Sequence, residues 1–509
     1  MDFKEILHNI YGNSDNRNPI GEFHLFEVLI TRILQEHLVQ QNKPVIINYK
    51  RPIEIENRVR KYIEYDVFAP EGFDQFSSST AFQIKFLRDK RSVFLSICNF
   101  LRRYEIVDDT LKNIVFVFLI DLSEEEKKQL ENKVNDNEEI NNSLIYIIIW
   151  DINNLTNLFA KYEDLYKNLS KNISELLFET TVQNSLHNSG DDWKVIRDNH
   201  IEDLKASYYN DDLVLFLGAG VSVDAKIATW DTLISQLLVS LVSKELEKHE
   251  VDLSIREQEL IIKTIKKNNG NSPLQLVRYI RHGLKNFFVD RLSEVLYKGS
   301  TSTTETLKAI CRLCSPIRNG IGIQGVVTYN FDDLIEENFK SHDIKFKSIY
   351  READLPSKNE LGIFHVHGFL PKNKTEYDGL SDSLLVFSEE GYHNLMLDPY
   401  HWSNLVQLNY FKEHTCLFIG VSLTDPNIRR LLEISMSKQS DDKCKHYIIL
   451  KRESLEVIKE QEGVDNNNIE IFEKVNQVLK EDSLKELGLN IIWIEDFPEI
   501  PEILNQIRG

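Results

Sequence analysis

Short apolar runs separated by amphipathic stretches occupy most of the chain, and this alternation predicts an α/β protein. After residue 206, apolar runs end in polar residues and are followed by helical patterns, which predicts a doubly wound, Rossmann-like parallel sheet. A helical pattern over residues 231–314 predicts a small helical insert in this part of the chain. The predicted strands are residues 213–217, 326–327, 363–368, 417–420, 447–450 and 491–494.

The first third of the chain has its own pattern. Residues 23–38 have helical periodicity, residues 81–86 predict a strand, and two continuous apolar runs, 114–120 and 144–150, are typical of buried central strands. A polar stretch at residues 184–192 predicts a linker. We therefore expect an α/β domain at residues 1–165, a linker at 166–205 and a second domain at 206–509.

Composition favours a large protein of a reducing compartment. Of the 509 residues 42% are apolar, which is enough to build the cores of two or three domains. The 60 basic and 80 acidic residues give a net charge of −20, which argues against nucleic-acid binding over the whole surface but permits a local basic patch. Residues 1–18 do not resemble a signal peptide, no apolar run approaches the ~20 residues that span a bilayer, and the five cysteines show little pairing pattern. We expect a cytoplasmic protein that does not bind membranes.

The most informative motif is the turn of Gly218, Ala219 and Gly220, which follows a predicted strand and leads to Ser222. Two glycines around a small alanine let the backbone approach a pyrophosphate, and a following helix would offer its N-terminal amides. A Gly-Ala-Gly turn also joins strands to helices without any ligand. The triplet alone therefore does not decide between the two interpretations.

Two further predicted strands end in polar residues that could take part in binding or catalysis. Asn330 and Asp332 stand where open α/β sheets bind ligands, although either could instead cap the next helix. His365 and His367 alternate with apolar residues and are predicted to share one face of a strand. His367 precedes a glycine at the strand end and is the candidate base, since imidazole titrates near neutrality, whereas His365 is expected to be a packed, supporting histidine.

In their order and residue types these stretches resemble the sirtuin family. In that family a Gly-Ala-Gly-hydrophobic-Ser loop, a Thr-x-Asn-x-Asp segment, a His-Gly pair and a Gly-x-Ser segment line one NAD pocket. The resemblance covers roughly residues 206–450. It implies that His367 is the base and that Asn330 and Asp332 face the nicotinamide ribose of NAD. The other implied contacts are phosphate binding by Gly218, Ala219, Gly220 and Ser222, and contacts with the adenosine side by Gly420 and Ser422.

The chain departs from deacetylating sirtuins in two places. Where those enzymes have Gly-Ile-Pro-x-Phe-Arg, residues 226–230 end in Trp230 and lack the arginine. Those enzymes also hold a structural zinc with two Cys-x-x-Cys pairs, whereas Cys311 and Cys314 form a single pair here, so no zinc is expected. The Trp230 variant resembles the sirtuin-related NAD hydrolases of bacterial antiviral defence, which adds Trp230 to the residues expected at the NAD pocket.

A carboxylate followed by a glutamine two residues before a lysine resembles the PD-(D/E)xK nuclease fold in its Mrr-like variant. The residues are Asp66, Gln83 and Lys85, with Glu27 on the preceding helix. The spacing puts Gln83 and Lys85 on one face of a strand, where Asp66 could join them around Mg²⁺. The alternative is that Asp66 is a turn residue and Lys85 a solvated lysine. Nearby basic residues either bind phosphates or form an ordinary charged face; they are Lys50, Arg51, Arg58, Arg60, Lys61, Arg88, Lys90 and Arg91.

The two resemblances imply a two-domain effector of antiphage defence. The first domain would sense, bind or cut, and the second would hydrolyse NAD and cause abortive infection by depleting it. The alternative is a DNA nuclease whose sirtuin-like domain binds NAD or a related nucleotide as a regulator. A third possibility, protein deacylation, is disfavoured by the missing cysteine pair. Because an unrestrained NAD hydrolase would exhaust its own cell, we expect a homo-oligomer that stays inactive until a phage-derived trigger, a nucleic acid or a companion subunit acts on it.

Overall fold

The structure is a computed structural model of the 509-residue chain. It describes residues 19–55, 58–74, 76–85, 90–104, 111–135, 145–162, 182, 193–247, 249–250, 253–267, 273–316, 322–387, 391, 395–436, 446–455 and 466–509.

The described residues fall into two compact units. The first unit lies within Met1–Asn199, Met436–Lys443 and Glu453–Glu486, and the second within His200–Ser435, Cys444–Arg452 and Leu487–Gly509. Helix α5 crosses the division at residues 199 and 200 and also contains the predicted domain boundary at residue 206. The polar stretch at residues 184–192 lies outside the described residues, so the domain and linker boundaries stay predictions.

The first unit contains a five-stranded sheet in the order β1-β2-β3-β4-β5. Strands β1, β2 and β3 are antiparallel neighbours, whereas β3, β4 and β5 run parallel. The elements of its N-terminal part are α1 (Pro19–Gln40), β1 (Ile46–Ile55), β2 (Arg58–Ala69), β3 (Thr80–Lys85), α2 (Arg91–Tyr104), β4 (Asn113–Phe118), α3 (Glu124–Asn135), β5 (Tyr146–Trp150) and α4 (Ile152–Ala160).

Apolar side chains cover both faces of this sheet. One core contains residues of α1 and α4, such as Ile33 and Leu158, packed with Val115 and Val117 of β4. The other core contains residues of α2 and α3. Strands β4 and β5 are largely buried because they are apolar on both faces, which confirms the predicted burial. Strand β4 is central as predicted, but β5 is the edge strand of this sheet, so the prediction of a central strand was wrong for residues 144–150.

Helix α3 covers the outer edge of β5 with hydrogen bonds from its side chains. Asn135 Oδ1 accepts from the amide of Ile147, Asn135 Nδ2 donates to the Ile147 carbonyl, and Glu131 Oε1 accepts from the amide of Ile149. These bonds satisfy backbone groups that an open sheet edge would otherwise leave available to another strand.

The second unit contains a seven-stranded parallel sheet in the order β12-β11-β10-β6-β7-β9-β8. Its strands are β6 (Leu213–Leu217), β7 (Ile323–Thr328), β8 (Phe346–Ile349), β9 (Leu361–His365), β10 (Thr415–Ile419), β11 (His446–Lys451) and β12 (Leu489–Ile494). After β6, the strands β7, β8 and β9 form one side of the sheet, with β8 at the edge and β9 beside β7. The chain then crosses to form β10, β11 and β12 on the other side, so β6 and β10 flank the point where the strand order reverses. Ligands of open α/β sheets bind at the carboxyl ends of the strands at such a point.

Eleven further helices are described after α4, and five of them lie between β6 and β7, which confirms the predicted helical insert. The helices are α5 (Trp193–Tyr209), α6 (Trp230–Glu247), α7 (Ile255–Lys267), α8 (Pro273–Leu284), α9 (Phe288–Leu296), α10 (Glu305–Cys314), α11 (Leu334–Ser341), α12 (Trp402–Glu413), α13 (Pro426–Met436), α14 (Asn466–Lys485) and α15 (Glu499–Arg508). By the division above, α14 belongs to the first unit. Among the described helices, none has the length and apolar character needed to cross a membrane.

Candidate functional site

Polar segments from four strands meet at the carboxyl end of the seven-stranded sheet. They are the glycine turn after β6, the segment after β7, the turn after β9 and the loop between β10 and α13. Direct contacts join these segments and bring together Asn330, Asp332, Ser222 and both glycine turns, with His367 at the β9 turn.

Asn330 leaves the end of β7 and points its side chain back at the turn after β6. Its amide nitrogen donates to the Gly218 carbonyl and to Ser222 Oγ, at 3.1 Å each. Its backbone amide donates to Thr328 Oγ1. Only 7% of Asn330 is exposed, and the two hydrogen bonds fix the direction of its side-chain amide.

Asp332 is buried beside the same serine. Ser222 Oγ donates to Asp332 Oδ1 at 3.4 Å, and the amide of Leu334 donates to the same oxygen at 3.2 Å. Burial raises the pKa of the Asp332 carboxyl to about 6, and the charge of Glu336 adds to the rise. Asp332 thus both contacts the first turn of α11, as the capping alternative predicted, and lies among the candidate site residues.

The neighbouring Asp333 has a structural role instead. The hydroxyl of Tyr297, at the end of α9 in the helical insert, donates to Asp333 Oδ1 at 2.8 Å, and the amide of Lys372 donates to Asp333 Oδ2. Burial raises the pKa values of both the Asp333 carboxyl and the Tyr297 phenol, so the phenol stays protonated as a donor. Asp333 therefore fixes the insert and the β9 loop to the start of α11.

His365 and His367 do not share one face of a strand, because β9 ends at His365 and the chain turns there. His365 is buried, with Nδ1 3.2 Å from the carbonyl oxygen of Asn330 and Nε2 2.6 Å from Glu336 Oε1. A carbonyl only accepts, so Nδ1 carries a proton, and one further proton is shared between Nε2 and the carboxyl. Ser348 Oγ also donates to Glu336 Oε1. His365 thus holds the backbone of Asn330 through a hydrogen bond to its carbonyl, which agrees with its predicted role as a packed, supporting histidine.

His367 lies in the turn after β9 and contacts two other segments. Its Nε2 is 3.2 Å from Oδ2 of Asp425, which precedes α13. Its ring meets the ring of Tyr329 edge-on, with centroids 4.9 Å apart. The backbone carbonyl of His367 accepts a hydrogen bond from the amide of Val386 at 2.7 Å.

The turn after β6, which contains Gly218 and Gly220, contacts the turn of Gly420 after β10 directly. The amides of Gly218 and Gly220 donate to the carbonyls of Ile419 and Gly420, so both amides point toward the β10 turn. A Cβ on Gly218 would lie 2.5 Å from the Gly420 oxygen, and one on Gly220 would lie 2.6 Å from the Gly420 Cα. In this structure the glycines are required by the close approach of two backbones, which the pyrophosphate interpretation did not include.

The helix expected directly after the glycine turn is absent from this place. A three-residue 3₁₀ turn, Ala219–Val221, follows Gly218, and α6 begins only at Trp230. The prediction of helix N-terminal amides at the turn is therefore wrong. Gly220 and Ala219 are exposed, whereas Ser222 is buried.

The remaining predicted site residues lie farther from this group of contacts. The Trp230 ring packs on Phe387, with centroids 4.4 Å apart, within an aromatic cluster that includes Phe331. Ser422 is exposed and its hydroxyl bonds that of Thr424 at 2.8 Å. Their roles toward NAD stay predictions.

Cys311 and Cys314 are buried on α10, within the apolar core of the second unit. Burial raises the pKa of Cys311 to about 12 and also raises that of Cys314. Both side chains therefore remain neutral thiols and act as small apolar core residues.

In the first unit, the structure brings Asp66, Gln83, Lys85 and Glu27 together. Gln83 Nε2 donates to Asp66 Oδ2 at 3.0 Å, and the amide of Ile84 donates to the same oxygen. Burial raises the pKa of the Asp66 carboxyl well above its usual value, the charge of Glu27 raises it further, and that of Lys85 opposes the rise. Asp66 is thus a residue of β2 that contacts β3, which rules out the turn alternative.

The donor set at this place suits a hard cation. Two carboxyl groups lie close together, and Gln83 Oε1 is buried with no hydrogen-bond partner among the described residues. Oxygen donors of this kind are the ligands of Mg²⁺. Within the described ranges, no group of three or more His, Cys, Asp and Glu side chains is placed to hold a metal ion. Any Mg²⁺ here would be held by Asp66 and Glu27 with the Gln83 carbonyl.

Among the residues of the predicted basic patch, Lys90 is the one whose side chain the structure describes. The side chains of the other residues named for the patch lie outside the described part of the structure. Lys90 is described, and its ammonium pairs with Glu126 at 3.1 Å on the surface. It thus fits the interpretation of an ordinary charged face better than that of a phosphate ligand.

Sequence reasoning missed three residues of the second unit's site. Asp425 and Tyr329 contact His367, and Glu336 pairs with His365. An Asp before a proline at a helix start is a capping signal, so Asp425 was visible as a cap, but its second partner depends on the strand order. Glu336 follows the helical pattern of α11 and had no signal of its own.

One family model matches part of the chain. Residues 324–472 match the family model of the SIR2-like domain. The match includes the segments of Asn330, His367 and Asp425 but begins after the Gly218 turn. The seven-stranded parallel sheet is consistent with the Rossmann-like architecture of such a domain.

Two curated relatives are both named NAD(+) hydrolase ThsA. The chain is 23% identical to the one from Bacillus cereus (strain MSX-D12) over 318 residues, which is 61% of this chain and 56% of that protein. It is 23% identical to the one from Enterococcus faecium over 298 residues, which is 58% of this chain and 54% of that protein. The chain thus spans about half the length of the curated relatives it matches.

The contact between the glycine turns predicts a stability difference between two alanine variants. Gly420 and Gly299 both have positive φ, at 67° and 75°, but a Cβ on Gly420 would lie 2.7 Å from the Val221 nitrogen, whereas one on Gly299 meets nothing within 4 Å. Gly299→Ala should cost about 1 kcal/mol of backbone strain. Gly420→Ala should cost ~1–3 kcal/mol more from overpacking. Urea unfolding of the two variants measures the difference, and equal midpoints would show that the turns do not need this approach.

Proposed function

We propose that the protein hydrolyses NAD at the carboxyl end of the seven-stranded sheet. The observation that carries the proposal is the convergence of Asn330, Asp332 and the turn of His367 beside the glycine turns, at the point where strand order reverses. The SIR2-like match and the two relatives named NAD(+) hydrolase support it.

In the proposed reaction, a water oxygen bonds to C1′ of the nicotinamide ribose. The bond from C1′ to the nicotinamide nitrogen breaks, and its electron pair neutralises the pyridinium ring. The water proton passes to His367 and then to solvent. The products are nicotinamide, ADP-ribose and one proton.

The side chains fit the charges of this reaction. The transition state is oxocarbenium-like and needs oriented dipoles around the ribose and a base for the water. The Asn330 amide, fixed by Gly218 and Ser222, orients the water or the ribose hydroxyls. Asp332 supplies a carboxyl close to the developing positive charge, and Gly218, Ala219, Gly220, Ser222, Trp230, Gly420 and Ser422 form the rest of the proposed NAD pocket.

We further propose that the reaction serves antiphage defence as abortive infection in the cytoplasm. An active enzyme would exhaust the NAD of its own cell, so turnover must stay low until infection. We propose a homo-oligomer whose first unit receives the trigger, which is a phage-derived protein, a nucleic acid or a companion subunit.

The first test is the removal of two side chains. His367→Ala should lower nicotinamide release from NAD by at least about 100-fold, the usual contribution of a positioned general base. Asn330→Ala should lower it by about 100-fold as well, through loss of an oriented dipole in the site. The matched control is His414→Ala, because His414 pairs with Asp212 at 3.1 Å near the amino ends of β6 and β10. Full activity in folded His367→Ala and Asn330→Ala would contradict the proposed site.

A second candidate function is DNA cleavage by the first unit, with the SIR2-like region binding NAD or a related nucleotide as a regulator. The clustering of Glu27, Asp66, Gln83 and Lys85 favours it. In this function the two carboxyl groups and Gln83 would hold Mg²⁺, and Lys85 would face the phosphate. Mg²⁺ would supply the charge that polarises the phosphodiester.

Variants of the first unit separate the two functions. Asp66→Ala and Lys85→Ala should abolish Mg²⁺-dependent DNA cleavage and leave NAD hydrolysis unchanged, whereas Lys90→Ala should change neither. Asp66→Ala should also remove any rise in melting temperature on adding Mg²⁺. DNA that stays intact when it is incubated with the unaltered protein and Mg²⁺ would contradict the proposal that the first unit is a nuclease. Loss of NAD hydrolysis in folded Asp66→Ala would show that the two sites are not independent.

A further inference from the structure

The two carboxylate oxygens of Asp425 contact different partners. Oδ1 accepts from the amide of Asn427 at 2.7 Å and from that of Ile428 at 3.2 Å, which caps the start of α13. Oδ2 lies 3.2 Å from Nε2 of His367. A capping aspartate needs only one oxygen, so the second contact is not explained by the helix.

The imidazole that receives this contact is held from a second direction. The Tyr329 ring meets it edge-on, at an interplanar angle of 67°. The Tyr329 hydroxyl donates to Gln407 Oε1 at 2.8 Å, and Gln407 Nε2 donates to the Ser403 carbonyl within α12. The ring position of His367 is therefore set by α12 through Tyr329 and by α13 through Asp425.

The charge of Asp425 favours one arrangement of protons on His367. Burial acts to raise the pKa of the Asp425 carboxyl, but the hydrogen bond and charge of His367 and the helix amides outweigh it, so the pKa lies below its usual value. The titratable groups that face His367 include this carboxylate and the phenol of Tyr329. An ionised carboxylate beside Nε2 only accepts, so Nε2 carries a proton and Nδ1 keeps the lone pair.

We propose that Asp425 is a positioning residue for the base. It fixes His367 with the proton on Nε2, leaves Nδ1 to take the proton of the attacking water, and stabilises the imidazolium that results. This inference rests on the proposed function, in which His367 accepts that proton.

Three variants separate the charge of Asp425 from its helix cap. Asp425→Asn keeps a capping oxygen and a group of the same size but removes the charge. Asp425→Ser keeps a helix cap that is too short to reach His367. The control is Asp212→Asn, which removes the charge of the other His–Asp pair, the one with His414.

The first readout is the pH profile of NAD hydrolysis. Because His367 must be neutral to act, kcat/KM rises with pH, and loss of the neighbouring negative charge disfavours the imidazolium. In Asp425→Asn and Asp425→Ser, the acid limb should move down by about one pH unit and kcat should fall about tenfold or more, with KM nearly unchanged. Asp212→Asn should keep the original profile.

The second readout does not depend on activity. NMR spectra of isotope-labelled histidines, without NAD, should show the His367 ring mainly with its proton on Nε2 in the unaltered protein and a smaller share of that form in Asp425→Asn. An unchanged share of the Nε2-protonated form overturns the proposal, even if activity falls, because the effect would then be structural. If the share changes in a protein that hydrolyses no NAD, the pairing stands and the proposed function fails.

Discussion

The close approach of the turns after β6 and β10 is the constraint on which the site depends. Gly218 and Gly220 pack against Gly420 at distances that leave no room for a Cβ. The same contact turns the Gly218 carbonyl toward Asn330 and brings Ser222 to Asp332. Without side chains between the turns, residues from two halves of the sheet can share one small space at the point where strand order reverses.

Charge at this place is costly and is only partly compensated. Asp332, Asp333 and Glu336 are all buried within one short stretch of the chain. Burial raises the pKa values of Asp332 and Asp333, which shows that the fold works against their ionisation. Asp333 is accounted for by its structural contacts with Tyr297 and Lys372, whereas the buried Asp332 carboxyl accords with the proposed stabilisation of a positively charged transition state.

Much of this arrangement was predictable from the sequence, because strands and helices depend on local periodicity. The runs that became β6, β10 and β12 are short and bounded by polar residues, and the insert follows a clear helical pattern. The pairing of His367 with Asp425 was not predictable, because it depends on which strands become neighbours. The prediction that His365 and His367 share one face of a strand was wrong, because the alternation of apolar and polar residues continues beyond His365, where β9 ends. The glycines were correctly singled out, but the structure explains them by contact between two turns.

The measurement that tests the central claim most directly is product analysis of NAD incubated with excess protein in ¹⁸O-labelled water. Because basal turnover is expected to be low, excess protein makes a single turnover visible. The account predicts one free nicotinamide for each NAD consumed, one ¹⁸O atom at C1′ of ADP-ribose, and no requirement for an acetylated peptide. NAD that stays intact after prolonged incubation with the protein and an infected-cell extract, or nicotinamide release only with an acetylated peptide, would contradict it.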